Sequence, residues 1–201
     1  MIQTRQFIKP FLKSVSFTKF FFLLFCSLIS LSVSSETAKD IDPRVSESRS
    51  AVKAFGGQLV KELKHALQEG GAVKAIKVCN IEAPQIANTL SDEKALLIGR
   101  TSLKIRNPNN KPDMWEQAVL EKFEERKQGG EELAKLEFYE ETEDGFRYMK
   151  AIPTKGLCLI CHGEVLSEPV KATLAEYYPN DSATGFKIGD IRGAFTVIKK
   201  N

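Results

Sequence analysis

Apolar residues recur every three or four positions in three segments of the chain, which predicts three amphipathic helices. The first segment starts at Ala51 and ends at Gly70-Gly71, where a helix is expected to stop. The second contains Pro84, which is expected to kink or break the helix. The third runs from Asp113 to Gln128. The apolar stripes are Val52, Phe55, Leu59, Leu63 and Ala66; then Ala72, Ile76, Cys79, Ala83, Ile86 and Leu90; then Trp115, Val119, Leu120 and Phe123.

Beyond residue 130 the apolar residues alternate with polar ones, which predicts strands. Residues 136–139 and 146–149 flank Glu143-Asp144-Gly145, a favourable hairpin turn. Residues 95–105 are expected to form a strand running into an Asn- and Pro-rich loop, residues 163–185 a turn-rich segment, and Ile191–Ile198 the last strand. Helices that precede antiparallel strands indicate an α+β fold, with a small antiparallel sheet packed against N-terminal helices.

The first 35 residues are typical of a signal peptide. Basic residues precede an apolar run from Phe20 to Val33, whose 14 residues fall short of the ~20 that span a bilayer. Small residues at Ser32, Ser34 and Ser35 favour cleavage; an uncleaved anchor that associates with the membrane is the alternative. Residues 36–50 are then a linker and residues 51–201 a single domain. Either alternative places this domain in the periplasm or otherwise outside the cytoplasm.

Charge argues against a nucleic-acid partner. The chain has 29 Lys and Arg against 26 Asp and Glu. Four of those basic residues lie in the first 35 positions, so 25 basic residues face 26 acidic ones in the remainder. A nearly neutral domain lacks the basic face that nucleic-acid binding requires.

The segment Cys158-Leu159-Ile160-Cys161-His162 has the C-x-x-C-H pattern of c-type haem attachment. Two intervening residues let both thiols bond to the two vinyl groups of one haem, and His162 then lies beneath the ring as an iron ligand. The alternatives explain less. A thioredoxin-like motif gives His162 no role, a zinc site requires about four ligands, and a Cys158–Cys161 disulfide closes a strained loop.

The second axial ligand of such a haem determines what it does. His65 lies about 200° around its helix from Leu63 and is expected to face solvent. Met114 and Met149 are further candidates. Cys79 lies on the inward stripe of its helix and has no disulfide partner if both motif cysteines hold haem. A buried free thiol that packs as a small apolar side chain is the alternative for Cys79.

Other side chains are weaker candidates for contact with a haem. Haem propionates require cationic partners, and four basic residues qualify, although each is more typical of a solvated surface charge: Arg100, Arg106, Arg147 and Lys150. Three aromatic residues are candidates to pack on the ring, although each is more typical of core: Trp115, Phe146 and Tyr148. Residues 190–193 are expected to form a turn without a catalytic role. Two histidines and no Gly-rich phosphate loop argue against an enzyme.

The sequence resembles a bacterial family of exported single-haem c-type domains with a PAS-like fold, long catalogued as a domain of unknown function. The resemblance extends from Ala51 to about Lys199. It rests on AIKVC (75–79), RTSLKIRNP (100–108), NKPDMWE (110–116), FRYMKAI (146–152), CLICHG (158–163), YPNDSATGF (178–186) and GDIRGAF (189–195). It implies one haem with His162 and the thiolate of Cys79 as axial ligands. Members also occur as sensor parts of larger signalling proteins, but this chain has no room for a kinase or cyclase.

Thiolate ligation implies a six-coordinate, low-potential iron, because a thiolate donates electron density and favours the ferric state. We therefore expect a non-enzymatic protein for redox sensing or low-potential electron transfer, with a redox partner that the sequence does not identify. The alternative is a gas sensor, in which reduction weakens the iron–sulfur bond and CO, NO or O₂ enters.

Overall fold

A computed structural model describes residues 42–201. The signal-peptide prediction, for residues 1–35, lies outside the described residues, as does the first part of the expected linker. Four α-helices, three 3₁₀ turns and four strands make up the described residues. None of the helices in residues 42–201 combines the length and the apolar character needed to cross a bilayer.

Helix α1 spans Pro43–Lys94 and is divided at Gly70 and Gly71, whose backbone angles are not helical. The predicted end of a helix at this glycine pair is confirmed. Gly71 has a φ of 64°, which side-chain-bearing residues rarely adopt. We call residues 43–69 the first half of α1 and residues 72–94 its second half.

The first half of α1 begins eight residues earlier than predicted. The carboxylate of Asp42 accepts the backbone N–H of Arg44 at 2.9 Å, and Pro43 occupies the first helical position. Both are start signals, since Asp satisfies a free N–H and Pro has none to satisfy. Val45 and Ser48 are buried and extend the apolar stripe towards the N-terminus. Residues 43–50, expected to be a linker, are therefore part of the helix.

Pro84 does not break the second half of α1. Non-helical backbone angles occur in α1 only at Gly70 and Gly71, and the helix continues to Lys94. Proline removes one N–H, the donor that would otherwise reach the carbonyl of Asn80. Ala83, Ala87 and Leu90 remain buried on either side of it, so packing maintains the helix.

Four strands form the sheet: β1 (Leu97–Thr101), β2 (Glu137–Thr142), β3 (Gly145–Pro153) and β4 (Ile191–Lys199). Their order in the sheet is β1-β4-β3-β2, and every neighbouring pair is antiparallel. The predicted hairpin and last strand are confirmed.

The other helices are α2 (Met114–Gln128), α3 (Leu159–His162) and α4 (Glu168–Tyr177), with 3₁₀ turns at Pro108–Asn110, Leu133–Lys135 and Gly156–Cys158. Helix α2 begins at a capping box in which Asp113 and Glu116 exchange hydrogen bonds with each other's backbone.

Helix α4 lies in the segment that was predicted to be turn-rich, and the sequence prediction missed it. Pro169 suggested a turn, but it occupies the second position of the helix, where its missing N–H costs nothing. Val170 and Leu174 lie one helical turn apart. They pack with Tyr178 against Ile76 of α1.

Successive side chains of β3 point to opposite faces of the sheet, and both faces are buried. Phe146 and Tyr148 pack against the first half of α1, whereas Met149 and Ala151 pack against α2. Trp115 is partly buried at the edge of the α2 side. The predicted α+β architecture is thus confirmed, and the aromatic ring candidates belong to the core.

We expect Phe123→Ala to lower the free energy of unfolding by about 3–5 kcal/mol, because Phe123 is fully buried between α2 and the sheet. Met114→Ala, in the same helix but 92% exposed, should change it by less than about 0.5 kcal/mol. Denaturant titrations of both variants measure the difference. Equal effects would contradict the packing of α2 on this face.

Candidate functional site

A cleft opens where both halves of α1 meet β1, β4 and α3. Its two adjoining parts hold about 670 and 1220 Å³ of space, some of it open to solvent. Six thiol, imidazole and guanidinium side chains line both parts: Cys79, Arg100, Arg106, Cys158, His162 and Arg192.

The C-x-x-C-H motif forms one compact unit at the cavity wall. A 3₁₀ turn ends at Cys158 and passes directly into the single turn of α3, which carries Cys161 and His162. The backbone N–H of Lys155 lies 3.4 Å from Cys158 Sγ. Burial raises the pKa of Cys161 to about 11. Cys158 and Cys161 are both free thiols, so the structure does not contain the alternative disulfide.

The orientation of His162 leaves one ring nitrogen for a ligand. Nδ1 lies 2.7 Å from the carbonyl oxygen of Ala183. A carbonyl only accepts, so Nδ1 carries the hydrogen and Nε2 keeps its lone pair. Nη1 of Arg106 lies 3.4 Å from this Nε2, a long contact that a stronger ligand would replace. Burial lowers the pKa of His162 well below its usual range, and the nearby Arg192 and Arg106 lower it further. The imidazole is therefore neutral, which is the form that binds metals.

Arg106 connects the motif to the loop after α4. Its Nη2 donates to the carbonyl of Cys161 at 2.6 Å and to Asp181 Oδ2 at 2.8 Å. Asp181 in turn accepts the backbone N–H of Ala183, the residue whose carbonyl fixes His162. Only 9% of the Arg106 side chain is exposed, so the expectation of a solvated charge was wrong for this residue.

Cys79 reaches the same cavity from the second half of α1. Its position on the apolar stripe was the basis for considering it, and the half-buried side chain lines both parts of the cavity. Burial raises the pKa of Cys79, while the charges of Arg100, Arg106 and Arg192 act in the opposite direction. Its thiol is free.

Two further arginines line the cavity from the sheet. Arg100 projects from β1, and burial lowers its pKa, so the expectation of a solvated charge was wrong here also. Arg192 projects from β4, and burial lowers its pKa to about 10, together with the charges of Arg106 and Arg100. Sequence analysis missed Arg192 by assigning residues 190–193 to a turn. A signal was present, since Arg192 is the only charged residue in the stretch IRGAFTVI.

Several other candidates lie elsewhere. Arg147 is buried, lies 2.6 Å from Asp113 Oδ2 and covers the ring of Trp115, so it is neither solvated nor in the cavity. Lys150 donates to the carbonyl of Ala134 at 2.5 Å. His65 is exposed, as predicted, beside Glu69. Met149 lies in the α2 core and Met114 faces solvent, and neither lines the cavity.

The donor groups are too dispersed for a single metal ion. Within residues 42–201, no three His, Cys, Asp or Glu side chains are grouped closely enough to hold one. A structural zinc site would need about four such ligands. Thiols and an imidazole that share a cavity but not one coordination sphere suit a larger ligand.

Comparison with known proteins gives one family and one similar structure. The crystal structure of the cyanobacterial heme-protein Tll0287 matches with a TM-score of 0.59 and 23% identity, over 79% of this chain and 93% of that chain. This similarity shows a shared fold. No curated protein matches the chain. The model of the Tll0287-like family matches residues 25–199, and the chain therefore belongs to that family.

Proposed function

We propose that the chain binds one haem covalently through Cys158 and Cys161 and functions in redox sensing or low-potential electron transfer. His162 is one iron ligand in this proposal and Cys79 is the other. One observation carries it: a neutral imidazole whose Nε2 keeps its lone pair and the thiol of Cys79 line the cavity beside both motif cysteines. The similar structure is that of a heme protein, which supports the same assignment.

The residues present fit this group. Sulfur and imidazole are established iron ligands in haem proteins, and the two motif thiols have the spacing that attachment requires. The hydrogen bond to Ala183 fixes both the tautomer and the orientation of His162. The raised pKa of Cys161 describes the thiol before it bonds to carbon, so it does not conflict with attachment.

The two axial residues determine the chemistry. Haem supplies a one-electron couple when bound. The thiolate of Cys79 donates electron density, which favours the ferric state and gives a low potential. With His162 and Cys79 both bound to iron, no coordination position remains for a substrate. The absence of an open position favours a sensor or electron carrier over an enzyme. Covalent haem attachment favours an exported protein, because c-type haem is attached outside the cytoplasm.

Covalent attachment has a direct test. Denatured protein, expressed with a working haem-maturation system, should have the mass of the polypeptide plus one haem. The Cys158→Ala/Cys161→Ala variant should have the mass of the bare polypeptide. A pyridine haemochrome spectrum identifies the thioether linkages. A bare polypeptide mass for the wild type would overturn the proposed function.

Replacing Cys79 tests the axial thiolate. Cys79→Ala should convert the low-spin ferric electron paramagnetic resonance spectrum to a high-spin or water-ligated one and raise the reduction potential, because thiolate donation is lost. Ile76→Val, a conservative change on the same helix face and also at the cavity wall, should leave both unchanged. An unaltered ferric spectrum in Cys79→Ala would exclude Cys79 as a ligand.

The apolar lining of the cavity favours gas sensing as a second candidate function. The larger part of the cavity, which Cys79 lines, is also lined by Leu59, Val60 and Leu63. A diatomic gas that replaced Cys79 would meet apolar side chains there.

Exposure of the reduced protein to CO separates the two functions. A gas sensor should give a new absorption spectrum under CO, whereas a carrier that keeps both axial ligands should not. Reduced Cys79→Ala, which has an open position, is the positive control and should bind CO. If it does and the reduced wild type does not, gas sensing is excluded and the redox function stands.

A further inference from the structure

Two of the three arginines in the cavity have no anionic partner. Arg106 forms an ion pair with Asp181, and both side chains are almost fully buried. Neither Arg100 nor Arg192 forms an ion pair with any residue from 42 to 201. No Asp or Glu of this described range lines either part of the cavity. The cavity therefore has an excess of positive charge.

The hydrogen bonds of these two side chains are also incomplete. Arg192 Nη1 donates to Ser102 Oγ at 3.1 Å and lies 3.4 Å from the carbonyl of Lys104. Its Nε is buried without a partner, and its Nη2 donates to no described protein atom. The guanidinium of Arg100 lies 5.6 Å from the ring centre of Phe55, a contact that satisfies none of its N–H groups.

Two such charges in one cavity destabilise the protein unless anions reach them. A charge withdrawn from water without a partner costs several kcal/mol. Arg100 and Arg192 also repel each other, because they project from the adjacent antiparallel strands β1 and β4 into the same space. A ligand that relieves both charges has to bring two anionic groups into the cavity.

We infer that Arg100 and Arg192 bind the two carboxylates of the haem proposed above. This inference rests on the proposed function and adds to it the residues that orient the ring. Guanidinium groups are suited to the task because they bind carboxylates through paired hydrogen bonds. Arg106 has a different role: its bonds to Asp181 and Cys161 position the motif.

This assignment predicts an effect on the redox equilibrium. Positive charges held near the iron favour the ferrous state, since that state carries one positive charge fewer. Arg100 and Arg192 therefore oppose the effect of the Cys79 thiolate. Removal of either guanidinium should favour ferric iron and lower the reduction potential.

The test uses haem-loaded Arg100→Gln and Arg192→Gln at pH 8, where carboxylates are ionised. Each change should shift the ferrous–ferric equilibrium about tenfold towards ferric, or about 59 mV for a one-electron couple. The resonance Raman bending modes of the haem carboxylates should change as well. Lys53→Gln is the matched control, because it removes one exposed charge of α1 outside the cavity. It should leave both measurements unchanged.

Arg192→Lys separates charge from hydrogen bonding. It should keep the wild-type potential while changing the carboxylate Raman modes, because an ammonium retains the charge but not the planar fork. Unchanged potentials and Raman modes in both glutamine variants, with haem attached, would overturn the assignment. So would lower potentials without a Raman change, which would indicate charges acting at a distance. A wild-type mass without haem would overturn the proposed function itself.

Discussion

The buried ion pair between Arg106 and Asp181 is the contact on which the cavity depends. It connects the loop after β1 with the loop after α4, and the same guanidinium binds the carbonyl of Cys161. Breaking a buried pair by removing one partner typically costs about 3–5 kcal/mol. Asp181 also holds the N–H of Ala183, whose carbonyl orients His162. One ion pair therefore connects the motif to the loop that orients His162.

The three arginines that line the cavity have two different roles. Arg106 is held by Asp181 and by two backbone carbonyls, so it stabilises the fold whether or not a ligand is present. Arg100 and Arg192 have few protein partners, which is why we assign them to an anionic occupant. In the proposed haem complex, these cations and the Cys79 thiolate would shift the reduction potential in opposite directions. The balance between them, more than the ligand set alone, would then determine the working potential.

Local patterns predicted the parts of the site that are close in sequence. The C-x-x-C-H motif and the position of Cys79 on its stripe could be recognised from spacing alone. The burial of Arg106 could not, because it depends on Asp181, 75 residues further along the chain. The burial of Arg100 depends on the pairing of β1 with β4, which is also distant in sequence. Helix α4 was missed because Pro169 was interpreted without its position in a helix. Burial of charge is a tertiary property, and single-residue tendencies predict the opposite.

The proline in the second half of α1 has a mechanical consequence for the cavity. Pro84 cannot donate to the carbonyl of Asn80, the residue that follows Cys79. One backbone hydrogen bond of the helix is therefore absent next to Cys79, whereas Ala87 and Leu90 nearer the C-terminus pack in the core. A helix is most easily deformed where its ladder is interrupted. Pro84 is therefore the point at which the helix that carries Cys79 is least constrained by its own backbone hydrogen bonds.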